Sequence, residues 1–161
     1  MESPVKSQST EQPRIVITFG TFDLLHVGHV RILERAAKLG TKLIVGVSSD
    51  ALNVSKKGKL PEFCETDRMR IVGALRCVDH VFLEESLELK RKYVEQYQAS
   101  ILVMGDDWLG RFDDEIAGLP CRAIYLPRTA HISTTQIKEK IQSCSCSSEE
   151  KIHVDAARSS V

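Results

Sequence analysis

Short apolar, β-branched runs alternate along this chain with segments of helical periodicity. The runs predict five strands, which lie at residues 14–19, 42–48, 78–83, 101–104 and 123–126. The segments between and after them predict helices at residues 29–39, 65–75, 87–97 and 134–141. Strands this short and apolar, separated by helices, are typical of parallel pairing through right-handed crossovers. We therefore expect one α/β domain, a doubly wound parallel sheet with helices on both faces.

The two ends of the chain lack this pattern. Residues 1–13 are polar and contain two prolines, and residues 143–161 are rich in serine and charge without apolar periodicity. Such segments bury too little apolar surface to offset the entropy of ordering. We expect two disordered tails around a folded domain at residues 14–142.

Charge and composition narrow the class of protein. Lys plus Arg and Asp plus Glu each number 22, so no global field attracts nucleic acid or an anionic membrane. No apolar run reaches about 18 residues, and the start resembles no signal peptide, so we expect a cytoplasmic protein without membrane insertion. The five cysteines are an odd number without CxxC spacing, which argues against a disulfide scaffold or structural zinc. Cys144 and Cys146 are close enough for a metal or redox pair, but we treat them as incidental.

The loop after the first predicted strand, FGTFDLLHVGH, carries two histidines. It places His26 and His29 at a helix N-terminus, where free N–H groups and the helix dipole favour an anion. Gly20 and Gly28 would let the backbone approach a phosphate closely. The alternatives are a capped helix start with two surface histidines, or a metal pair completed by Asp23. We favour phosphate binding, because no further Cys or His stands nearby at ligand spacing.

Polar groups also cluster near other predicted strands. The basic run KKGK at 56–59 is either a solvated loop or part of a phosphate site. Arg68 and Arg76 are either surface residues or clamps on phosphate oxygens. In MGDDW, Asp106 and Asp107 suit metal or general-base chemistry, a turn, or hydrogen bonds from a base amino group. For these two carboxylates we favour a nucleotide contact.

The segment Pro127–Thr135 leads into the last predicted helix. Ser133 is a suitable N-cap, and Gln136 follows it at capping-box spacing. A second helix N-terminus would thus face an anion, with Arg128 and the hydroxyls of Ser133 and Thr134 as donors; alternatively, Ser133 is only a cap. The chain contains neither GxxxxGK[ST] nor GxGxxG, so a P-loop or dinucleotide fingerprint does not explain these groups.

The segment GTFDLLHVGH resembles the HxGH signature of a nucleotidyltransferase superfamily, in which both histidines contact a triphosphate. Together with KGK, MGDDW and RTxxISTT, in this order across residues 14–141, it resembles the glycerol-3-phosphate cytidylyltransferase family. The resemblance implies a Rossmann-like homodimeric enzyme that converts CTP and sn-glycerol 3-phosphate to CDP-glycerol and pyrophosphate. A Mg²⁺ ion is expected on the triphosphate, since this ion prefers phosphate oxygens and water to a full protein cage.

Matched position by position, the resemblance implies roles for individual residues. Nucleotide contacts are implied at Thr21, Phe22, His26, Gly28, His29, Lys59, Asp106, Asp107, Arg128, Thr129, Ile132, Ser133, Thr134 and Thr135. The members of this set implied to act in catalysis are His26, His29, Lys59 and Arg128. Contacts with the glycerol phosphate are implied at Lys57, Arg76 and Lys90. No protein ligand to a metal is implied.

His131 departs from the family pattern, which usually has glycine at this position. If the position needs a positive φ or a close backbone approach, histidine would impair nucleotide binding; alternatively, it adds a phosphate donor. Other functions stay open. One is a sister transferase that uses ATP, or an acceptor such as phosphoethanolamine, phosphocholine or a flavin phosphate. The others are a non-catalytic nucleotide-binding module and a metal-dependent hydrolase.

Overall fold

A computed structural model of the protein describes residues 13–144 as one parallel sheet flanked by helices. The strands are β1 (Ile15–Gly20), β2 (Lys42–Ser48), β3 (His80–Glu84), β4 (Ile101–Gly105) and β5 (Arg122–Leu126). The helices are α1 (Val27–Ala37), α2 (Asp50–Lys57), α3 (Glu65–Gly73), α4 (Lys90–Gln96) and α5 (134–144). Single 3₁₀ turns lie at Leu87–Leu89 and Asp106–Trp108. The predicted α/β class is confirmed.

The strand order is β3-β2-β1-β4-β5, and every neighbouring pair is parallel. The chain builds outward from β1 through β2 to β3, then crosses back to place β4 on the other side of β1. The order therefore reverses between β1 and β4. Loops that follow these two strands diverge there and leave a crevice at the carboxyl edge, which is where such sheets bind ligands.

Both faces of the sheet are covered, because consecutive strand residues enter different apolar clusters. Val16 packs with Leu33 of α1 and Val72 of α3 on one face. Its neighbour Ile17 packs with Tyr93 of α4 on the other face. Both strand residues are completely buried. Burial on both faces explains why the strands are continuous apolar runs rather than alternating ones.

One helix was not predicted. The segment after β2 forms α2, in which the Ser49 hydroxyl accepts the Leu52 N–H at 3.0 Å and Gly58 ends the helix in the left-handed conformation. Serine before and glycine after a short segment are ordinary helix boundary signals. The interpretation of KKGK as a loop is therefore wrong for its first two lysines, which form the last turn of α2.

The predicted tails fall largely on residues 1–12 and 145–161, which lie outside the described residues, so their disorder stays a prediction. Between residues 13 and 144, no helix has both the length and the apolar character needed to cross a bilayer.

Candidate active site

The two histidines cap the helix that they begin. His26 is the N-cap of α1, and its Nδ1 accepts the Gly28 N–H at 3.1 Å. In return, the His26 N–H donates to Nδ1 of His29 at 3.4 Å. This reciprocal arrangement is a capping box in which imidazoles replace the usual hydroxyl and carboxylate. It also explains why α1 begins two residues before the predicted start.

These caps fix the tautomer of both rings. A ring nitrogen that accepts a backbone N–H carries no proton, so in the neutral rings the proton of His26 and of His29 lies on Nε2. The rings stack with centroids 3.8 Å apart and an interplanar angle of 22°. The capping geometry therefore supplies two neighbouring Nε2–H donors, both beyond the carboxyl end of β1.

Both imidazoles are held neutral. Burial lowers the pKa of His29 to about 4, with smaller contributions from the nearby charges of His26 and Arg128. Burial, followed by the charge of Arg128, also lowers the pKa of His26. At neutral pH the pair donates hydrogen bonds without the repulsion that two stacked imidazolium ions would suffer.

The glycines of this loop make room for the site's own rings. A Cβ at Gly20 would lie 2.8 Å from the Phe22 ring, and one at Gly28 would lie 2.8 Å from the His26 ring. Phe22 is buried at a φ of 52° and meets the His29 ring edge-on, with centroids 5.5 Å apart. The structure thus gives both glycines a packing role; close approach to a phosphate stays a prediction.

The segment before α5 packs against the N-terminus of α1 and the loop before it. Ile132 Cγ2 lies 3.0 Å from the position of a Cβ at Gly28. The Ser133 hydroxyl accepts the Gln136 N–H at 3.2 Å, which confirms the predicted N-cap. Thr134 donates its hydroxyl to the carbonyl of Asp23 at 3.0 Å. The N-termini of α1 and α5 therefore meet, and half-buried Thr129 and exposed Thr135 flank this junction in the chain.

The loop after β4 carries two of the residues predicted to contact a nucleotide. Asp106 and Asp107 form a 3₁₀ turn directly beyond β4, and a carboxylate oxygen of Asp107 lies 3.8 Å from the Arg128 guanidinium. This pair is exposed, so it adds little stability. It does show that the loops after β4 and β5 approach each other. Contact of the two carboxylates with a base stays a prediction.

Asp23 ties three segments together and was not assigned this role from sequence. One of its oxygens accepts the backbone N–H groups of Glu62 and Phe63 at 3.0 and 3.1 Å, and the other lies 3.5 Å from the Lys138 ammonium. Burial raises the pKa of this carboxyl, but the two backbone donors and Lys138 together hold the pKa below its usual value. Its oxygens are thus committed to the loop before α3 and to α5.

The sequence left Arg68 open as a surface residue or a clamp on phosphate oxygens, and the structure shows neither. It is completely buried, and its guanidinium donates to the carbonyls of Thr21 and Phe63 and to the carboxylate of Asp50 at 2.6 to 2.9 Å. The hydroxyl of Thr21 in turn donates to the Asn53 side chain at 2.7 Å. Arg68 and Asn53 therefore fix the site loop from behind.

The lysines of the basic run at residues 56–59 lie near different groups of charges. Burial lowers the pKa of Lys57, and the charged groups that also act on it are Asp23, Lys59, Arg128 and Lys138. Of these, Lys59 and Arg128 are predicted nucleotide contacts, and Asp23 lies in the loop that carries the histidines. Burial also lowers the pKa of Lys56, and the charge that acts most strongly on Lys56 is that of Glu84, the last residue of β3, which opposes this shift. Lys59 follows the cap of α2 and is exposed.

The structure does not bring Arg76 and Lys90, two of the predicted acceptor contacts, together with the other predicted site residues. Arg76 precedes β3, so it lies toward the opposite edge of the sheet, where it borders a groove with Val30 and Glu34 of α1. Lys90 is completely buried, and its ammonium pairs with Glu84. Their contact with an acceptor stays a prediction.

His131 adopts a φ of 63°, a left-handed conformation that suits glycine. Its side chain is exposed beside the N-terminus of α5. Position 131, where the family usually has glycine, is therefore one at which the backbone conformation disfavours a Cβ. Whether the imidazole also donates to a phosphate stays a prediction.

Replacing His131 with glycine should stabilise the fold. The left-handed conformation costs an L-residue about 1 to 2 kcal/mol, of which glycine's extra freedom in the unfolded chain offsets part. We expect His131→Gly to raise the free energy of unfolding in urea by about 0.5 to 1 kcal/mol. His131→Ala is the matched control, because it removes the ring and keeps the Cβ. An equal gain in both variants would show that the ring, not the backbone, is responsible.

The histidine cap should make stability depend on pH. Because the pKa of His29 falls from about 6.5 in the unfolded chain to about 4, the unfolded state binds more protons between these values. The contribution to stability is complete above about pH 6.5 and is lost as the pH falls toward 4. We expect the free energy of unfolding, measured by urea titration, to show this loss. In His29→Gln, which keeps an acceptor at the capping-box position, the loss should be smaller. Identical pH profiles would contradict the assignment.

Comparison with known proteins agrees with this geometry. The cytidylyltransferase-like family model matches residues 17–140. Glycerol-3-phosphate cytidylyltransferase of Bacillus subtilis (strain 168) is 46% identical over 126 residues, covering 78% of this chain and 95% of that protein. The Staphylococcus aureus (strain NCTC 8325 / PS 47) protein of that name is 42% identical over 126 residues, covering 78% of this chain and 93% of its own length.

A solved structure shares the fold. The lipopolysaccharide core biosynthesis protein from Thermoplasma volcanium GSS1 superimposes with a TM-score of 0.63 at 27% identity, over 74% of this chain and 99% of its own. The family resemblance inferred from GTFDLLHVGH, MGDDW and RTxxISTT is confirmed by the relatives and the family model together. This chain belongs to the cytidylyltransferase-like family.

Proposed function

We propose that this protein transfers the cytidylyl group of CTP to sn-glycerol 3-phosphate, forming CDP-glycerol and pyrophosphate. The observation that carries the proposal is the stacked pair of Nε2–H donors at the N-terminus of α1, against which the segment before α5 packs. These neutral donors, together with the cations of Lys59 and Arg128, suit a polyphosphate. The choice of CTP and glycerol phosphate follows the names of the Bacillus and Staphylococcus relatives.

The reaction is an in-line displacement at phosphorus. A phosphate oxygen of the acceptor attacks the α-phosphorus of CTP, and the bond from that phosphorus to the oxygen bridging to the β-phosphate breaks. No general base is needed, because a phosphate monoester with a second pKa of about 6 is mostly dianionic at pH 7. The protein's contribution is orientation and charge stabilisation. His26, His29, Lys59 and Arg128 act on the triphosphate, and His26 and His29 donate to oxygens whose charge increases during attack.

Mg²⁺ enters this scheme as part of the CTP substrate. Within residues 13–144, no group of three His, Cys, Asp or Glu side chains is arranged to hold a metal. Asp23, the buried carboxylate nearest the histidines in sequence, is already engaged by two N–H groups and Lys138. These residues suit an ion held by phosphate oxygens and water, where it would offset the negative charge of the triphosphate.

A homodimer and a cytoplasmic location belong to the same proposal. Both follow from the family resemblance and the cysteine pattern; Cys64, Cys77 and Cys121 form no disulfide. Sedimentation of the purified protein tests the first, and fractionation of the source cells tests the second.

Removing one donor should reduce turnover while leaving the helix cap in place. Asparagine is a good N-cap but lacks the outward Nε2–H, so we expect His26→Asn to lower kcat by about 10² to 10³. The KM for CTP should change less, because the donor acts mainly on the transition state. The free energy of unfolding is the control and should stay within about 0.5 kcal/mol of the parent. A change confined to KM would contradict the catalytic role.

The substrate assignment is tested by pyrophosphate release. CTP and ATP are each supplied with Mg²⁺ and a panel of phosphorylated alcohols that includes sn-glycerol 3-phosphate, phosphocholine, phosphoethanolamine and a flavin phosphate. We expect release with CTP and sn-glycerol 3-phosphate. Release only with another acceptor would replace the acceptor and keep the mechanism. Binding of CTP without turnover for any acceptor would indicate a nucleotide-binding module, and nucleotide hydrolysis without an acceptor would indicate a hydrolase.

A further inference from the structure

The segment that contains the predicted nucleotide contacts from Arg128 to Thr135 is held to the domain without a buried residue. It comprises the loop after β5 and helix α5, and every residue from 127 to 144 is exposed or half-buried. At its start, Arg35 of α1 donates to the Pro127 carbonyl at 2.8 Å. A helix as short as α5 is marginal in water on its own, because its few hydrogen bonds barely offset the cost of nucleation. The position of α5 therefore depends on the contacts of its side chains.

Lys138 makes the charged contact between α5 and the rest of the domain. Its ammonium lies 2.8 Å from a carboxylate oxygen of Glu62 and 3.5 Å from one oxygen of Asp23. The other Asp23 oxygen accepts the backbone N–H groups of Glu62 and Phe63. Lys138, Glu62 and Asp23 thus form a closed ring of contacts, and the hydroxyl of Thr134 adds a further bond from α5 to the Asp23 carbonyl.

The ring is partly shielded from water and lies next to the histidines. The side chain of Lys138 is 25% exposed and that of Asp23 is 8% exposed, so this contact is screened less than an ordinary surface pair. Asp23 stands three residues before His26 in the loop after β1. The ring therefore joins α5 to the loop that carries the two imidazole donors.

We propose that Lys138 is a positioning residue for the nucleotide: through Glu62 and Asp23 it holds the N-terminus of α5 against the histidine loop. The inference rests on the proposed function and deepens it, since it adds a residue that acts on CTP only through other residues. The ammonium of Lys138 is engaged by two carboxylates, so its effect is on residues 132–135, which begin α5. When α5 is undocked these residues are out of place, and the apparent affinity for CTP falls with the docked fraction.

Charge and position predict opposite effects for Glu62. A carboxylate near a triphosphate site repels the ligand, so on charge alone the removal of Glu62 would strengthen the binding of CTP. If Glu62 instead serves to hold Lys138, its removal undocks α5 and weakens the binding of CTP. The sign of the change at this position therefore separates the two explanations.

The first experiment compares two lysines on α5. Lys138→Met removes the ammonium, and Lys140→Met is the matched control at an exposed position of the same helix. We expect Lys138→Met to raise the calorimetric Kd and the KM for CTP about 3- to 10-fold, as for the loss of a partly screened charged hydrogen bond. The kcat and the KM of the acceptor should stay within about twofold, because a bound nucleotide restores the docked helix. Lys138→Arg, which keeps the cation, and Lys140→Met should both resemble the parent.

A double-mutant cycle tests whether Lys138 acts through Glu62. Glu62→Met should weaken the binding of CTP severalfold in the parent and have little further effect in the Lys138→Met background. Stronger binding in Glu62→Met, or effects of the two substitutions that simply add, would overturn the inference. A merely structural role would lower the thermal unfolding midpoint and raise both KM values together, and that result would overturn it as well.

Amide hydrogen exchange measures the docking of α5 without a nucleotide. Local opening of a weakly held helix exposes its amides, so we expect Lys138→Met to accelerate exchange severalfold in residues 134–144. Exchange in α1 is the internal control and should not change. Equal exchange of residues 134–144 in Lys138→Met and the parent would contradict the positioning role.

The two proposals fail in different ways. A normal Kd and KM for CTP in Lys138→Met, with turnover intact in the parent, would overturn this inference and leave the proposed function standing. If the parent turns over only ATP or only another acceptor, the comparison is made with those substrates, and a loss at Lys138 supports the inference although the substrate assignment is wrong. If the parent releases no pyrophosphate, the calorimetric Kd for CTP decides: a weaker value in Lys138→Met supports the inference, and an unchanged value overturns it. A parent that binds neither CTP nor ATP would overturn both proposals.

Discussion

The site depends on helix α1, whose N-terminus is capped by the imidazole rings of His26 and His29. A free helix N-terminus leaves backbone donors unsatisfied, and an ordinary cap would satisfy them with a hydroxyl or carboxylate that has no other task. Here Nδ1 of His26 and of His29 does so, and each ring is thereby fixed in orientation and tautomer. Helix stability thus uses one nitrogen of each ring and leaves the opposite nitrogen as an N–H donor, so a substitution that removes the donor also alters the cap.

Buried polar contacts then hold the surrounding loops to that helix. A parallel sheet brings the loops after its strands to one edge but does not set the distances between them. Asp23 joins the loop before α3 to α5, and Arg68 joins α3 to the carbonyl of Thr21. Both side chains are largely or wholly buried with their polar atoms paired, so removing either would leave partners unsatisfied in the interior. The crevice is therefore organised before any ligand enters.

Much of this could be predicted from the sequence, because its signals are local. The strands are short apolar runs, the histidines stand where one of them ends, and Ser133 and Gln136 have capping spacing. The roles of Arg68 and Asp23 were missed because they depend on contacts between residues that are distant in sequence. Arg68 reaches Thr21 across 47 positions, and Asp23 reaches Glu62 across 39. No periodicity encodes such pairs. Helix α2 was missed for another reason: eight mostly polar residues carry little helical pattern, and only Ser49 and Gly58 mark its limits.

The order of strands in the sheet has a consequence for how such a protein changes over time. The histidines and Arg128 lie in the loops after β1 and β5, whereas Ser48 and Glu84 end β2 and β3 and Glu84 pairs with Lys90 of α4. Asn53 joins the two groups, because its side chain donates to the Ser48 carbonyl and accepts the Thr21 hydroxyl. A gene duplicate that drifts in the β2–β3 half would therefore retain the arrangement of the histidine loop best where Asn53 is kept.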